Sequence, residues 1–132
     1  LTEREQEGLA LFIQTGCTAC HYGPTLGGNS FATLGAQEPY VTNDVGRYAV
    51  TGDEADMHVF KVPSLRNVAV TGPYLHDGSI PTMESMVQLM VRHQLGRELS
   101  SDQVDTLVIF LRSLTGELPS DFTAAPELPL AE

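Results

Sequence analysis

The sequence predicts an all-α domain in which three main helices surround a long, loop-rich middle. Three stretches, near residues 2–16, 82–96 and 100–116, keep a helical apolar period behind residues suited to N-terminal caps. Residues 22–80 hold most of the Gly and Pro and show no sustained period. A stretch that long without an element of its own is unusual in a compact domain, unless something rigid sits inside it.

Each helix has its own signature. Thr2 and Glu5 form a capping-box pattern before an apolar stripe at Leu9, Phe12 and Ile13, and this helix runs into Gly16. Thr82 starts a second, with Met83, Met86, Val87 and Met90 on one stripe and an end near Gly96. Ser100 with Gln103 caps a third, which carries Val104, Leu107, Val108, Leu111 and Leu114 and stops at Gly116. Short helical pieces are expected around Ser30–Leu34, and the rest of the middle reads as ordered loop. The tail from Glu117 contains Pro119, Pro126 and Pro129 and is expected to be extended. The division is therefore one domain over 1–132, with its core in 1–116 and a Pro-containing tail in 117–132.

Composition narrows the function. Acidic residues outnumber basic ones 17 to 7, whereas nucleic-acid binding and docking on anionic lipid call for a basic face. An acidic surface favours a partner that is basic or carries a locally positive patch, and it also serves plain solubility. No apolar run is long enough to span a membrane, and no charged, apolar leader opens the chain. Its start at Leu1 reads as mature, trimmed or excised. The hydrophobic fraction is 42% with no Trp, a thin supply for a core, so a buried cofactor would add useful volume.

The decisive string is Cys17-Thr18-Ala19-Cys20-His21, which is C-x-x-C-H. Two thiols three positions apart at a helix end can form thioethers to both vinyl groups of one porphyrin, and the adjacent His then meets the iron. A redox C-x-x-C pair expects a preceding strand, and the pattern here is helical. A zinc site wants a second ligand pair, and His58, His76 and His93 lack that spacing. The two cysteines of the chain both fall in the motif, so the expected cofactor is one covalent haem c, attached on the oxidising, extracytoplasmic side of the membrane. His21 should donate its second ring N–H to a backbone carbonyl, with Gly23 and Pro24 as the expected acceptors.

The sixth iron ligand stays open on the residues alone. Met57, Met83, Met86, Met90, His58, His76 and His93 are all candidates. Methionine at helical spacing is ordinarily core filling, but a thioether ligand favours Fe(II) and suits an electron carrier. His76, in the turn Tyr74-Leu75-His76-Asp77-Gly78, either projects inward or is a hydrogen-bonded structural residue beside Asp77, and the second is favoured. Arg66 is the expected partner of an anionic haem propionate, ahead of Arg47, while Lys61 is expected in solvent.

The strings FKVPSLRNVAVTGPYLHDGS, T-x-E-x-x-V-x-x-M-x-x-x-Q-L-G-R and F-L-x-S-L-T-G-E-L-P occur in one order. With them, the chain from about Gly8 to Leu130 resembles the C-terminal half of bacterial dihaem cytochrome c peroxidases, a family that includes a branch maturing methylamine dehydrogenase. The resemblance implies a cytochrome c fold holding the high-potential, electron-accepting haem. It makes His21 the proximal ligand and Met90, fourteen residues beyond His76, the distal one; the maturation branch has Tyr there. It also implies an interdomain calcium site using carbonyls of Thr71 and Pro73, against which an ordinary turn is the preferred reading for this chain. Peroxide is reduced in that family at a second haem with its own C-x-x-C-H, and this sequence has one copy. The leading expectation is a single-haem electron carrier with His21/Met90 ligation. The alternative is the electron-input domain of a peroxidase that associates with a peroxidase-type haem domain. A third reading has a labile Met90 and a five-coordinate iron open to peroxide or gas.

Overall fold

A computed structural model describes residues 1–117, and the Pro-containing tail expected beyond them lies outside the described residues. The three expected helices are present: α1 (Glu3–Thr15), α3 (Met83–Leu95) and α4 (Ser101–Ser113), with a single-turn helix α2 (Tyr48–Thr51) between the first two. No helix among the described residues is long and apolar enough to cross a membrane.

The caps form as the sequence implies. In α1 the Glu5 amide donates to Thr2 Oγ1 and the Thr2 amide to Glu5 Oε2, satisfying two amides that the helix itself cannot. Ser100 and Gln103 make the same reciprocal pair at α4, and the Thr82 hydroxyl caps α3. The last turn of α1 has no basic side chain of its own. Arg97, just past α3, donates instead to the carbonyls of Gln14 and Thr15, so a cation sits where the helix dipole is negative. α4 closes at Ser113, slightly before Gly116, whose amide donates to Asn67 Oδ1 at 2.8 Å.

The core lies where α1, α3 and α4 meet. Val104 and Leu107 of α4 are each 2% exposed, and burial of such side chains contributes about 1.5–3 kcal/mol apiece. Phe12 of α1 packs on Phe110 with ring centroids 5.3 Å apart at a tilt of 57°. The two helices approach closely because residue 8 is glycine: a methyl group there would lie 2.4 Å from the Thr106 carbonyl oxygen. Met83, Val87 and Val91 fix α3 to the same core. Ile13, assigned to the stripe of α1 from spacing, is 53% exposed and lies beyond its edge.

The middle departs from expectation at one point. Phe31–Thr33, inside the segment expected to be helical, is a strand β1, antiparallel to β2 (Val59–Lys61), with Ala32 opposite Phe60. Its amides and carbonyls are matched across the chain, so pairing outweighs the weak local preference for a turn of helix. Residues of the strand pair and of the loops around it, among them Ala32, Leu34, Phe60 and Lys61, line a cavity that α3 also borders.

Candidate functional site

That cavity has a volume of about 470 Å³ and a predominantly apolar lining. This is the size range of sites for cofactors and other small ligands. Cys17, Cys20 and His21 lie on one wall, at the turn that follows α1. Gly16 ends α1 in a left-handed conformation, and one turn of 3-10 helix, Cys17–Ala19, follows, with Cys17, Cys20 and His21 all bordering the cavity. Both thiols are free. Burial pushes the Cys17 thiol up to about 11, opposed by a backbone hydrogen bond and reinforced by nearby Cys20.

His21 donates Nδ1–H to the Leu26 carbonyl at 3.1 Å. The acceptor is therefore neither Gly23 nor Pro24. The segment turns tightly, with the Gly27 amide on the Tyr22 carbonyl and Leu26 at φ 48°, and this aims the Leu26 carbonyl back at the imidazole. Burial holds the His21 pKa below its ordinary value, with backbone hydrogen bonding opposing the shift. Neutral imidazole with Nδ1–H already engaged leaves Nε2 as the free donor atom, the form an iron ligand requires. Gly27 makes the seat possible: a Cβ there would lie 2.2 Å from the Pro63 carbonyl oxygen and 3.1 Å from His21 Nδ1. The Ser64 hydroxyl, donating to the Thr25 carbonyl at 2.9 Å, ties this turn to the chain that follows β2.

From α3, Met86 and Met90 border the same cavity, both partly buried. Of the other candidate ligands, Met83 is buried in the core, and Met57, His58 and His93 are not part of the main wall. His58 and His93 donate Nδ1–H to the carbonyls of Asp44 and Glu38. His76 borders the cavity but is largely exposed and is paired at 2.8 Å with Asp44, not with neighbouring Asp77. The Asp44 carboxyl is held below its usual range by the Gly46 amide first and by His76 second. Arg66 is exposed and away from the lining, Arg47 pairs with Asp56 at 3.1 Å and stacks over Phe31, and the basic side chain on the cavity wall is Lys61. Thr71 and Pro73 border the same cavity.

The residues fit a covalently held haem: two sulfurs at the right spacing, an oriented imidazole, thioethers bordering the same cavity and an apolar envelope. Comparison with known proteins agrees. The cytochrome c family pattern matches residues 5–115, and the chain belongs to that family, whose cofactor is haem c. Within it, the chain is homologous to the electron-transfer domain of bacterial dihaem cytochrome c peroxidases. It is 49% identical to the cytochrome c551 peroxidase of Nitrosomonas europaea over 98% of its own length and 39% of that protein. With the cytochrome c peroxidase Ccp of Escherichia coli it shares 45% identity over 88% of this chain and 26% of the relative. The chain thus spans well under half of these relatives. A solved MauG-like protein associated with microbial copper homeostasis superposes with a TM-score of 0.73 at 28% identity, covering 89% of this chain and 48% of the other.

Proposed function

We propose that this chain is a one-electron relay in which Cys17 and Cys20 anchor the haem, His21 is its proximal ligand and Met90 its distal one. The observation that carries the reading is that the C-x-x-C-H residues and Met90 of α3 border the same predominantly apolar cavity. Haem supplies a one-electron Fe(II)/Fe(III) couple when bound. The protein's part is to hold His21 neutral and oriented through Leu26, to exclude water with the apolar wall, and to offer sulfur to the iron, which favours the reduced state. Met86 lines the same cavity, and Met90 is preferred because the resemblance to dihaem peroxidases implies the distal ligand at that position. Lys61 on the cavity wall is better placed than Arg66 to meet an anionic haem edge.

The physiological setting follows from the same reading: an extracytoplasmic, bacterial redox chain, exchanging electrons with a protein whose docking face is basic or locally positive. The identity of 49% to a peroxidase favours a second role, electron input to a peroxidase-type haem domain. In either case this domain takes up and hands on electrons and breaks no substrate bond.

An optical redox titration of holoprotein variants tests the ligand set. Met90→His should lower the potential and keep the iron six-coordinate, and Met90→Ala should open the sixth position to water or added ligands. Met83→Ala, in the core, should cost about 2–5 kcal/mol of stability and leave the spectrum intact. A sulfur-to-iron charge-transfer band that survives Met90→Ala and disappears in a Met86 variant would overturn the assignment.

A further inference from the structure

Gln94 lies on the same helix as Met90, one turn further on, and both side chains border the cavity. Its amide is spent on a single distant loop. Gln94 Oε1 accepts from the Gly35 amide at 2.7 Å and the Ala36 amide at 3.0 Å, and Nε2 donates to the Thr33 carbonyl at 3.1 Å. Three of the four hydrogen bonds an amide side chain can make therefore join the end of α3 to the chain leaving β1. Neighbouring contacts extend the junction. The amides of Gln37 and Glu38 donate to the His93 carbonyl, His93 Nδ1–H donates to the Glu38 carbonyl, and the Arg92 guanidinium grips Glu38 Oε1. Those loop amides also cap one of the carbonyls that a helix end leaves without an intrahelical partner.

This junction matters because of what the rest of α3 does. Its core side, Met83, Val87 and Val91, fixes the helix against the hydrophobic cluster, while its cavity side, Met86 and Met90, faces the haem space. Arg97, just past the helix, ties this end to the Gln14 and Thr15 carbonyls, while Gln94 is the cavity-bordering residue of the last turn that grips the loop after β1. A thioether is a soft, weak ligand and holds iron only where the protein keeps it in place. We propose that Gln94 is the positioning residue for the distal ligand: by locking the last turn of α3 to the Thr33–Ala36 loop, it holds Met90 at bonding distance and keeps external ligands out. The proposal rests on Met90 being that ligand.

The test uses holoprotein carrying Gln94→Leu, close in shape but without hydrogen bonding, and Gln94→Glu, which keeps an acceptor for the two loop amides. The readouts are the sulfur-to-iron charge-transfer band, the reduction potential and the affinity for added imidazole. In Gln94→Leu, imidazole affinity should rise on the order of tenfold, the scale of one net hydrogen bond. The potential should fall, and the band should vanish at a temperature below that of global unfolding. Gln94→Glu should lie between Leu and the parent chain. A residue with only a structural role would lower the unfolding temperature and leave imidazole affinity and the band unchanged, and that result overturns the proposal. If Gln94→Leu yields no folded holoprotein, Gln94→Asn, one methylene short of the loop, replaces it with the same expectations. Met90→Ala separates the two ideas: if it leaves the band in place the ligand reading fails, and if it abolishes the band while Gln94→Leu and Gln94→Asn behave as parent, the positioning role alone fails.

Discussion

Replacing Gly27 by Ala probes the seat of His21 at its tightest point. Gly27 has φ 120° and Gly28 has φ 90°, both in the region that L side chains avoid. Forcing a non-glycine residue into such a backbone costs about 1–3 kcal/mol. At Gly28 that is the main charge, since the nearest atoms to an added methyl are 3.8 Å away. At Gly27 the methyl would also meet the Pro63 carbonyl oxygen at 2.2 Å. Ordinary contact then requires a displacement of roughly 1 Å, and overpacking of this kind adds about 1–3 kcal/mol. Gly27→Ala should therefore unfold below Gly28→Ala by on the order of 10 °C in thermal melts of the oxidised holoprotein. It should also disturb the Leu26 carbonyl that accepts from His21, make the imidazole a weaker donor to iron and raise the reduction potential. Equal melting temperatures and equal potentials for the two variants would refute this account of the turn.

Two further outcomes follow from the packing and the charges. Gly8→Ala gains about 1 kcal/mol of helix propensity but forces α1 from the Thr106 carbonyl at a cost of about 1–3 kcal/mol. Its denaturation midpoint should drop while the haem spectrum stays the same, and a stabilised variant would contradict the close crossing. The Asp44 carboxyl, depressed by the Gly46 amide and His76, contributes stability that is present above its unfolded value near 4 and lost as pH falls through the folded value. Asp44→Asn should flatten that acid limb in a pH series of melts, and an unchanged limb would show that other carboxylates set it.

What the sequence revealed and what it hid divide by range. The three long helices were legible because their caps and apolar periods are local: Thr2 with Glu5, Thr82, and Ser100 with Gln103 each mark a start. β1 was not, since a strand of three residues has no usable period and exists through pairing with Val59–Lys61. C-x-x-C-H exposed the cofactor from spacing alone, but the acceptor for His21 depends on Leu26 adopting φ 48°, which no propensity suggests for leucine. The adjacent Gly27-Gly28 pair was the available signal for a tight turn there. A planar guanidinium favours Arg66 over Lys61 as a propionate partner, yet Lys61, at the end of β2, is the residue that borders the cavity. Gln94 lies in the string T-x-E-x-x-V-x-x-M-x-x-x-Q-L-G-R, but nothing local marks its role, because the loop it grips lies about sixty residues earlier.

In the proposed relay, electrons pass through a haem whose iron is closed on both sides, by His21 and Met90. Stopped-flow mixing of the reduced holoprotein with hydrogen peroxide tests it most directly. The protein should be reoxidised rapidly by small redox mediators or a protein acceptor and show little peroxide turnover. Rapid, multiple turnovers of peroxide by this chain alone, with Met90 intact, would contradict it and identify an iron whose sixth position opens to substrate.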